Sequence, residues 1–290
     1  MSSSTASEFE RLRDDFGWSI EEHAVDVDGV WMGRGETLRS AFSATAHQTL
    51  LSVEDRSLWF RWRNEIIADV LSRAGTPTAF WEIGAGNGVV SRHLETVGVT
   101  AVVVEPGEAG SRGAASRGIR HILRASLEEL ALPARSIPAA GAFDVLEHLE
   151  RPGDLLREIH RVLQPDGLFL ASVPAFPFLW SEADVVAGHH RRYRRRTLTA
   201  LLRRAGFRPI YINHHFAAAT PLLLLGRAVP WRLGVRRDPE IANRQYVKEL
   251  GRTSRPARIL GDRLMDAERI WARHLPVPMG TSLIVAARRV

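Results

Sequence analysis

The stretch Phe80-Trp81-Glu82-Ile83-Gly84-Ala85-Gly86-Asn87-Gly88-Val89-Val90 constrains this chain more than any other. A short apolar run ends on an acid, glycines then alternate with other residues, and helical spacing follows at once. This is the pattern of a strand, a tight turn and a helix N-terminus. Glycine has no Cβ, so the turn can take positive φ and a ligand can approach bare backbone. The unpaired N–H groups that open the helix then face that ligand.

The same alternation continues downstream. Thr78–Ile83 reads as a strand. Val89–Val97 is its helix, with Gly98 at the stop. Val99–Val104 is a β-branched strand ending at Glu105-Pro106. A short helix or strand is expected near Gly118–Leu123, and a turn or short helix over Ser126–Leu130. Ile137–Phe143 reads as a buried strand ending at Asp144, and Pro152–Leu163 as an amphipathic helix. Gln164–Gly167 has turn chemistry, and Leu168–Val173 is another buried strand. Strands alternating with helices predict a doubly wound, mostly parallel α/β sheet. Ligands of such sheets bind beyond the strands' carboxyl ends. Glu82, the glycines, Glu105, Asp144 and Pro174 all fall at strand ends, and so share one edge.

The flanks are less regular. Residues 1–8 are expected to be disordered. Residues 9–46 carry a helical pattern over Phe9–Phe16 and a strand-like alternation over Ala24–Trp31, and residues 1–46 read as an N-terminal extension or cap. The core spans 47–216. Within it, Leu58, Trp59, Trp62, Ile66, Val70 and Leu71 share a helix face, ended by Gly75 and Pro77. Trp59 and Trp62 either pack this helix down or line a pocket mouth. Thr197 is placed to cap a helix ending at Gly206, and Phe207–Phe216 reads as a strand. Residues 217–280 form a helical cap in which Leu260, Leu264, Ala267 and Trp271 keep register, and residues 281–290 supply a final strand.

Composition excludes some chemistry. The 290 residues contain no cysteine, which removes disulfides, a thiolate nucleophile and Cys-based metal sites. Net charge is +6, and Lys248 is the only lysine, so the basic charge is nearly all arginine. That is either a compositional habit or a surface for anionic partners. The N-terminus lacks the charged start and apolar core of a signal peptide. No apolar run approaches the roughly 20 residues of a membrane helix, since Pro221, Gly226 and Arg227 interrupt the nearest one. These points predict a cytoplasmic protein.

A dinucleotide fingerprint needs Gly-x-Gly-x-x-Gly. Here the spacing is Gly84-x-Gly86-x-Gly88, which disfavours a nicotinamide cofactor. The set Glu82-Ile-Gly-Ala-Gly-Asn-Gly, with Glu105 closing the next strand, resembles the first two motifs of class I S-adenosylmethionine-dependent methyltransferases. Ala142–Leu149 and Leu155–Gly167 are similar to the later core of those enzymes. His189-His190-Arg191-Arg192-Tyr193 and the Trp59-Phe60-Arg61 helix are similar to a bacterial subgroup tied to glycan, lipid-linked or secondary-metabolite pathways. Arg135-Ser-Ile-Pro138 departs from the Phe-Asp pair many relatives carry there. The resemblance implies a Rossmann-like seven-stranded sheet with helices on both faces. It implies S-adenosylmethionine held by Glu82, Gly84, Ala85, Gly86, Gly88, Glu105, Pro106, Ser126, Leu127, Phe143, Asp144 and Val145, with Glu105 accepting from the ribose hydroxyls.

Chemistry follows from such a cofactor. A sulfonium methyl is already electrophilic, so the protein has mainly to align an acceptor and exclude water. A base is needed only for a neutral hydroxyl or carbon acid, which makes His148, His189 and Tyr193 the candidate catalytic residues. Trp59, Trp62, Phe176, Trp180 and His190 are candidates for the acceptor pocket. The expected acceptor is a small molecule or a lipid- or glycan-linked one. The pairs His189-His190 and His214-His215 lack ordered ligand spacing, so no metal is expected. No nucleic-acid module is present. Pro221–Arg227 and Val229–Trp231, near Arg227, Arg232, Arg236 and Arg237, could pack on the core, form a dimer face or touch a membrane surface. A catalytically silent cofactor-binding protein and an NAD-dependent oxidoreductase stay open as rival readings.

Overall fold

The computed structural model describes residues 6–33, 44–236 and 255–290. Arg237 and parts of the N-terminal tail and of both caps lie outside the described residues. The strands are β1 (Ala24–Val27), β2 (Val30–Gly33), β3 (Ala79–Ile83), β4 (Thr100–Val104), β5 (Ile122–Arg124), β6 (Ile137–Phe143), β7 (Leu163–Pro174), β8 (Phe207–His215) and β9 (Ser282–Arg289). They form one sheet in the order β1-β2-β5-β4-β3-β6-β7-β9-β8. From β2 through β7 neighbours run parallel, while β9 is antiparallel to both β7 and β8.

The sheet therefore has nine strands among the described residues, not the expected seven. The extra pair is the β1–β2 hairpin, which joins the edge through Trp31 and Leu123. Asp28 and Gly29 make its two-residue loop, both at positive φ (53° and 80°). That is the geometry of a type I′ hairpin, for which Asp-Gly is a favoured sequence.

Helices α1 (Ala6–Phe16), α2 (Ile20–His23) and α3 (Ala44–Glu54) precede β3, together with α4 (Leu58–Ala74). Next come α5 (Val89–Thr96), α6 (Glu108–Ser116), α7 (Pro152–Val162), α8 (Glu182–Val186) and α9 (Arg195–Arg204). The last are α10 (Ala219–Leu223), α11 (Val229–Arg232) and α12 (Arg255–His274). Alternate residues of β3 point to opposite faces of the sheet. Phe80 packs with Ile66, Ile67, Val70 and Leu71 of α4 and Val90 and Leu94 of α5. Trp81 packs on the other face, in the cluster that holds Leu156 and Ile159 of α7 and Leu198 and Leu202 of α9. Leu12, Trp18 and Ile20 join that second cluster, so the N-terminal helices contribute to the main core.

Two local readings shift. Gln164–Gly167 does turn, but inside β7: Leu163 pairs with Ile137 and Leu168 with Ala139, so the four residues loop out between them. Thr197 is not the first residue of its helix. It sits within α9, and its hydroxyl accepts the Arg194 N–H at 3.0 Å.

The larger surprise is α12. The apolar residues that keep helical register do not face the core: Leu260, Leu264 and Trp271 are 61%, 46% and 55% exposed. The opposite, mostly polar face docks on α4. Arg269 pairs with Glu65 at 2.9 Å, Arg273 pairs with Asp69 at 2.6 Å, and Trp62 Nε1 donates to Asp262 at 2.8 Å. Gly261 gives the Trp62 ring its room, since a Cβ there would stand 2.6 Å from it. Helical spacing reports that a face is apolar, not which way it turns.

Candidate active site

The carboxyl edge of the sheet gathers the expected residues. Gly84, Gly86 and Gly88 all take positive φ (70°, 54° and 70°). A Cβ on Gly84 would stand 2.9 Å from Val145 Cγ2, so the turn lies against the segment after β6. Glu105 ties this turn to the next one. Its Oε2 accepts the Gly86 N–H at 2.8 Å and its Oε1 accepts the Gly107 N–H at 2.7 Å. Burial raises the Glu105 pKa against those two hydrogen bonds.

Below the turn, Glu82 is fully buried and accepts from the Ser91 N–H at 2.8 Å and from the Ser91 hydroxyl. Burial pushes its pKa up to about 7, against the Ser91 hydrogen bonds. Between its ordinary 4.5 and about 7 the folded state holds a proton that the unfolded chain releases. Stability from this group is therefore present below the unfolded value and lost as pH rises to about 7. Glu82→Gln, which keeps a side-chain carbonyl to accept from Ser91, removes this dependence. From pH 5 to 8 the stability difference is expected to move in the variant's favour by roughly 3 kcal/mol. Urea unfolding of both proteins across that range checks it, and parallel profiles would refute it.

Beyond β6, Asp144 sits at positive φ (55°). Its Oδ1 accepts from the Ser172 hydroxyl at 3.0 Å, and its Oδ2 pairs with Arg63. Arg63 is a buried residue of α4, flanked by the Trp59 and Phe60 rings at 4.9 and 5.0 Å. Its Nε is buried with no partner among the described residues. Over the glycine turn, His47 of α3 approaches Gly86 and Gly110. Asn87 holds α3 there, donating to the His47 carbonyl at 2.9 Å and to Glu54 at 3.1 Å. Arg117 adds a buried ion pair to Glu54 at 2.9 Å.

The turn Leu146–His148 and the loop after β7 meet next to this edge. The rings of His148 and His189 lie 4.8 Å apart, edge to face. His189 Nδ1 is 2.9 Å from Asp184 Oδ1, which also accepts from Arg192 Nε at 2.7 Å. Asp184 Oδ2 accepts the Ser181 N–H at 2.9 Å. Burial alone would raise Asp184, but His189 and Arg192 together hold its pKa below the ordinary value. Burial, reinforced by neighbouring His189, lowers His148 to about 4, so its ring is neutral near pH 7.

The other expected residues are dispersed. The Tyr193 hydroxyl is buried and donates to the Leu146 carbonyl at 3.0 Å, and burial raises its pKa. His190 is exposed, while its N–H donates to the Glu147 carbonyl at 2.8 Å. Phe176 stacks on His214 at 4.7 Å, and Trp180 is half-buried in the following turn. Trp59 packs edge-on to Phe60 at 4.8 Å, and Trp62 is engaged by α12. Phe143 lies under the edge beside Phe80, Leu127 is buried, and the Ser126 N–H donates to Glu129 at 2.8 Å. Pro106 follows Glu105, half-buried.

A methyltransferase domain family model matches residues 59–212, just over half of the chain. The chain belongs to the methyltransferase domain family. A Mycolicibacterium smegmatis protein named "Probable S-adenosylmethionine-dependent methyltransferase" is 30% identical over 173 residues, 59% of this chain and 67% of that protein. One from Mycobacterium tuberculosis with the same description is 29% identical over 184 residues, 60% of this chain and 67% of the relative. Solved structures agree on the fold. A Thermotoga maritima SAM-dependent methyltransferase superposes with a TM-score of 0.52 at 16% identity, covering 85% of this chain and 96% of that one. Haemonchus contortus phosphoethanolamine N-methyltransferase 2, solved with S-adenosyl-L-methionine, superposes at 0.53 and 16% identity, covering 87% of this chain and 58% of that one. This methyltransferase depends on S-adenosylmethionine, and no helix among the described residues is long and apolar enough to cross a membrane.

The methyltransferase's own residues fit that cofactor. Bare backbone at three positive-φ glycines, a two-oxygen acceptor in Glu105, and the orphaned Arg63 Nε near Asp144 match a molecule carrying a diol, an ammonium and a carboxylate. Sequence reasoning passed over Arg63, His47 and Asp184. Asp184 had a signal, because Ser181-Glu-Ala-Asp184 is a capping box opening α8. Arg63 had none, since an arginine on an aromatic helix face reads as solvated.

Proposed function

We propose that this methyltransferase acts on a lipid-linked acceptor that it meets at a membrane surface. One observation carries this reading. Residues 219–232 lie over the loop that holds His189, with Arg232 donating to the Phe178 carbonyl at 2.6 Å, and they turn their leucines outward. Leu222, Leu225 and Leu233 are 72%, 68% and 77% exposed, beside Arg227, Arg232 and Arg236. Exposed leucines among arginines are the chemistry of an interfacial contact with anionic lipid. In this proposal residues 217–280 form the cap on the acceptor side, as the N-terminal extension does over the cofactor, and the protein works in the cytoplasm.

The cofactor supplies an electrophilic methyl on sulfur. Gly84, Ala85, Gly86 and Gly88 cradle its amino-acid part under His47, with Glu82 holding the turn rigid through Ser91. Glu105 and Pro106 take the ribose, Ser126 and Leu127 the adenine. Phe143, Asp144 and Val145 floor the pocket, and Arg63 faces the carboxylate. His148 presents a neutral ring to the acceptor, with the His189 ring beside it. For a hydroxyl acceptor the cofactor would supply the methyl, the S–CH3 electron pair would return to sulfur as the acceptor oxygen took the carbon, and a His148 ring nitrogen would take the hydroxyl proton. The Tyr193 hydroxyl, spent on Leu146, positions the loop rather than touching the acceptor.

The test is sedimentation with phosphatidylglycerol vesicles at moderate salt. Wild type is expected to sediment, and the combined Leu222→Ser, Leu225→Ser, Leu233→Ser variant to partition about 100-fold less, at roughly 1 kcal/mol for each leucine. S-adenosylhomocysteine binding stays unchanged. A wild-type protein that stays in the supernatant overturns the membrane reading, and concentration-dependent self-association lost in the same variant would assign the patch to a homodimer.

A further inference from the structure

We propose that Glu147, His148 and His189 bind a divalent metal ion on the acceptor side of the methyl-transfer site. One carboxylate oxygen and one nitrogen from each ring lie within 4.8 Å of one another. Ligand atoms about 2.0–2.2 Å from an ion stand roughly 3–3.5 Å apart, so small side-chain adjustments around a bound ion close the set.

Three further features point the same way. Glu147 is 1% exposed, and its Oε2 has no partner among the described residues. A carboxylate buried in that state is costly, and an ion is a partner that removes the cost. His189 is already oriented as metal ligands are: Nδ1 is committed to Asp184, which leaves Nε2 for a ligand. Carboxylate–histidine pairs of this kind fix the tautomer and ring direction of metal-binding histidines. Asp184 is in turn held by Arg192 and the Ser181 N–H, so the support is rigid.

A lone histidine base would use one of these nitrogens and leave Glu147 unexplained. Two imidazoles and one carboxylate suit a borderline ion such as Zn2+, with Co2+ as its spectroscopic stand-in. Three protein ligands leave a position for an oxygen of the acceptor. The inference deepens the reading of this edge as the acceptor side and does not depend on the lipid. It replaces the sequence expectation of no metal, which considered only adjacent histidine pairs.

The experiment uses the full chain, free of any histidine tag and stripped with chelator. Co2+ titration followed by visible absorption and Zn2+ titration by calorimetry are expected to show one saturable site. Glu147→Gln and His189→Asn each lower its affinity at least 100-fold, and Asp184→Asn lowers it roughly 10–100-fold. S-adenosylhomocysteine affinity, measured on the same samples, stays within twofold and certifies the fold and the cofactor site. Should Glu147→Gln misfold, His189→Asn and wild type still decide. The proposal is overturned if wild type binds S-adenosylhomocysteine but no metal, or if the variants bind metal as wild type does. Loss of cofactor binding in wild type would instead count against the assignment of this edge.

Discussion

Glu105→Ala is expected to bind S-adenosylhomocysteine about 100-fold more weakly than wild type. In the proposed site its carboxylate accepts two ribose hydroxyls, and hydrogen bonds to a charged group contribute roughly 1.5–3 kcal/mol each. Losing both comes to about 3 kcal/mol, or two powers of ten in affinity. The same carboxylate now accepts the part-buried Gly86 N–H and the buried Gly107 N–H, so its removal strands one buried donor at a cost of about 1–3 kcal/mol, less than the roughly 5–15 kcal/mol that holds a folded domain together. The fold is therefore expected to survive. Calorimetric titration gives the affinity and thermal unfolding the control. Unchanged affinity in well-folded protein would remove Glu105 from the ribose site.

Arg63→Met carries the second large effect, on stability and affinity together. Methionine fills the volume of the arginine stem but leaves Asp144 without its counter-ion. Removing one partner of a buried pair costs about 3–5 kcal/mol. Asp144 is 26% exposed, so water recovers part of that, and about 2–3 kcal/mol remains. For a domain of this size Tm falls by roughly 5–10 °C. Adding Asp144→Asn removes the stranded charge, so the double variant is expected to be more stable than the sum of the single losses. Strict additivity would show that the pair does not interact. S-adenosylhomocysteine affinity drops in Arg63→Met as well, because the side chain proposed to face the cofactor carboxylate has gone.

Much of the fold was legible because its signals are local. The β-branched run over Val99–Val104 and the glycines at the positive-φ positions 84, 86 and 88 follow from rules acting within a few residues. The hairpin at Asp28-Gly29 was half-read: the turn signal was there, but its two strands are short, and whether they join the sheet depends on β5, far along the chain. Thr197 misled by one turn of helix, since a threonine can satisfy the N-terminal N–H from inside the helix as well as from before it.

The chain's sequence alone determined the strand–turn–helix around Gly84–Gly88, the acids at the ends of its strands, and through them the methyl donor. Each is a demand of local backbone geometry, and residue type meets it directly. Tertiary structure alone decided the rest. It brought Arg63 to Asp144 across 81 residues, turned the apolar stripe of α12 away from the core, and set His189, held by Asp184, against His148. Those outcomes depend on which distant surfaces meet. Periodicity marks a face as apolar or a side chain as charged, and only packing says what that face or charge finds opposite it.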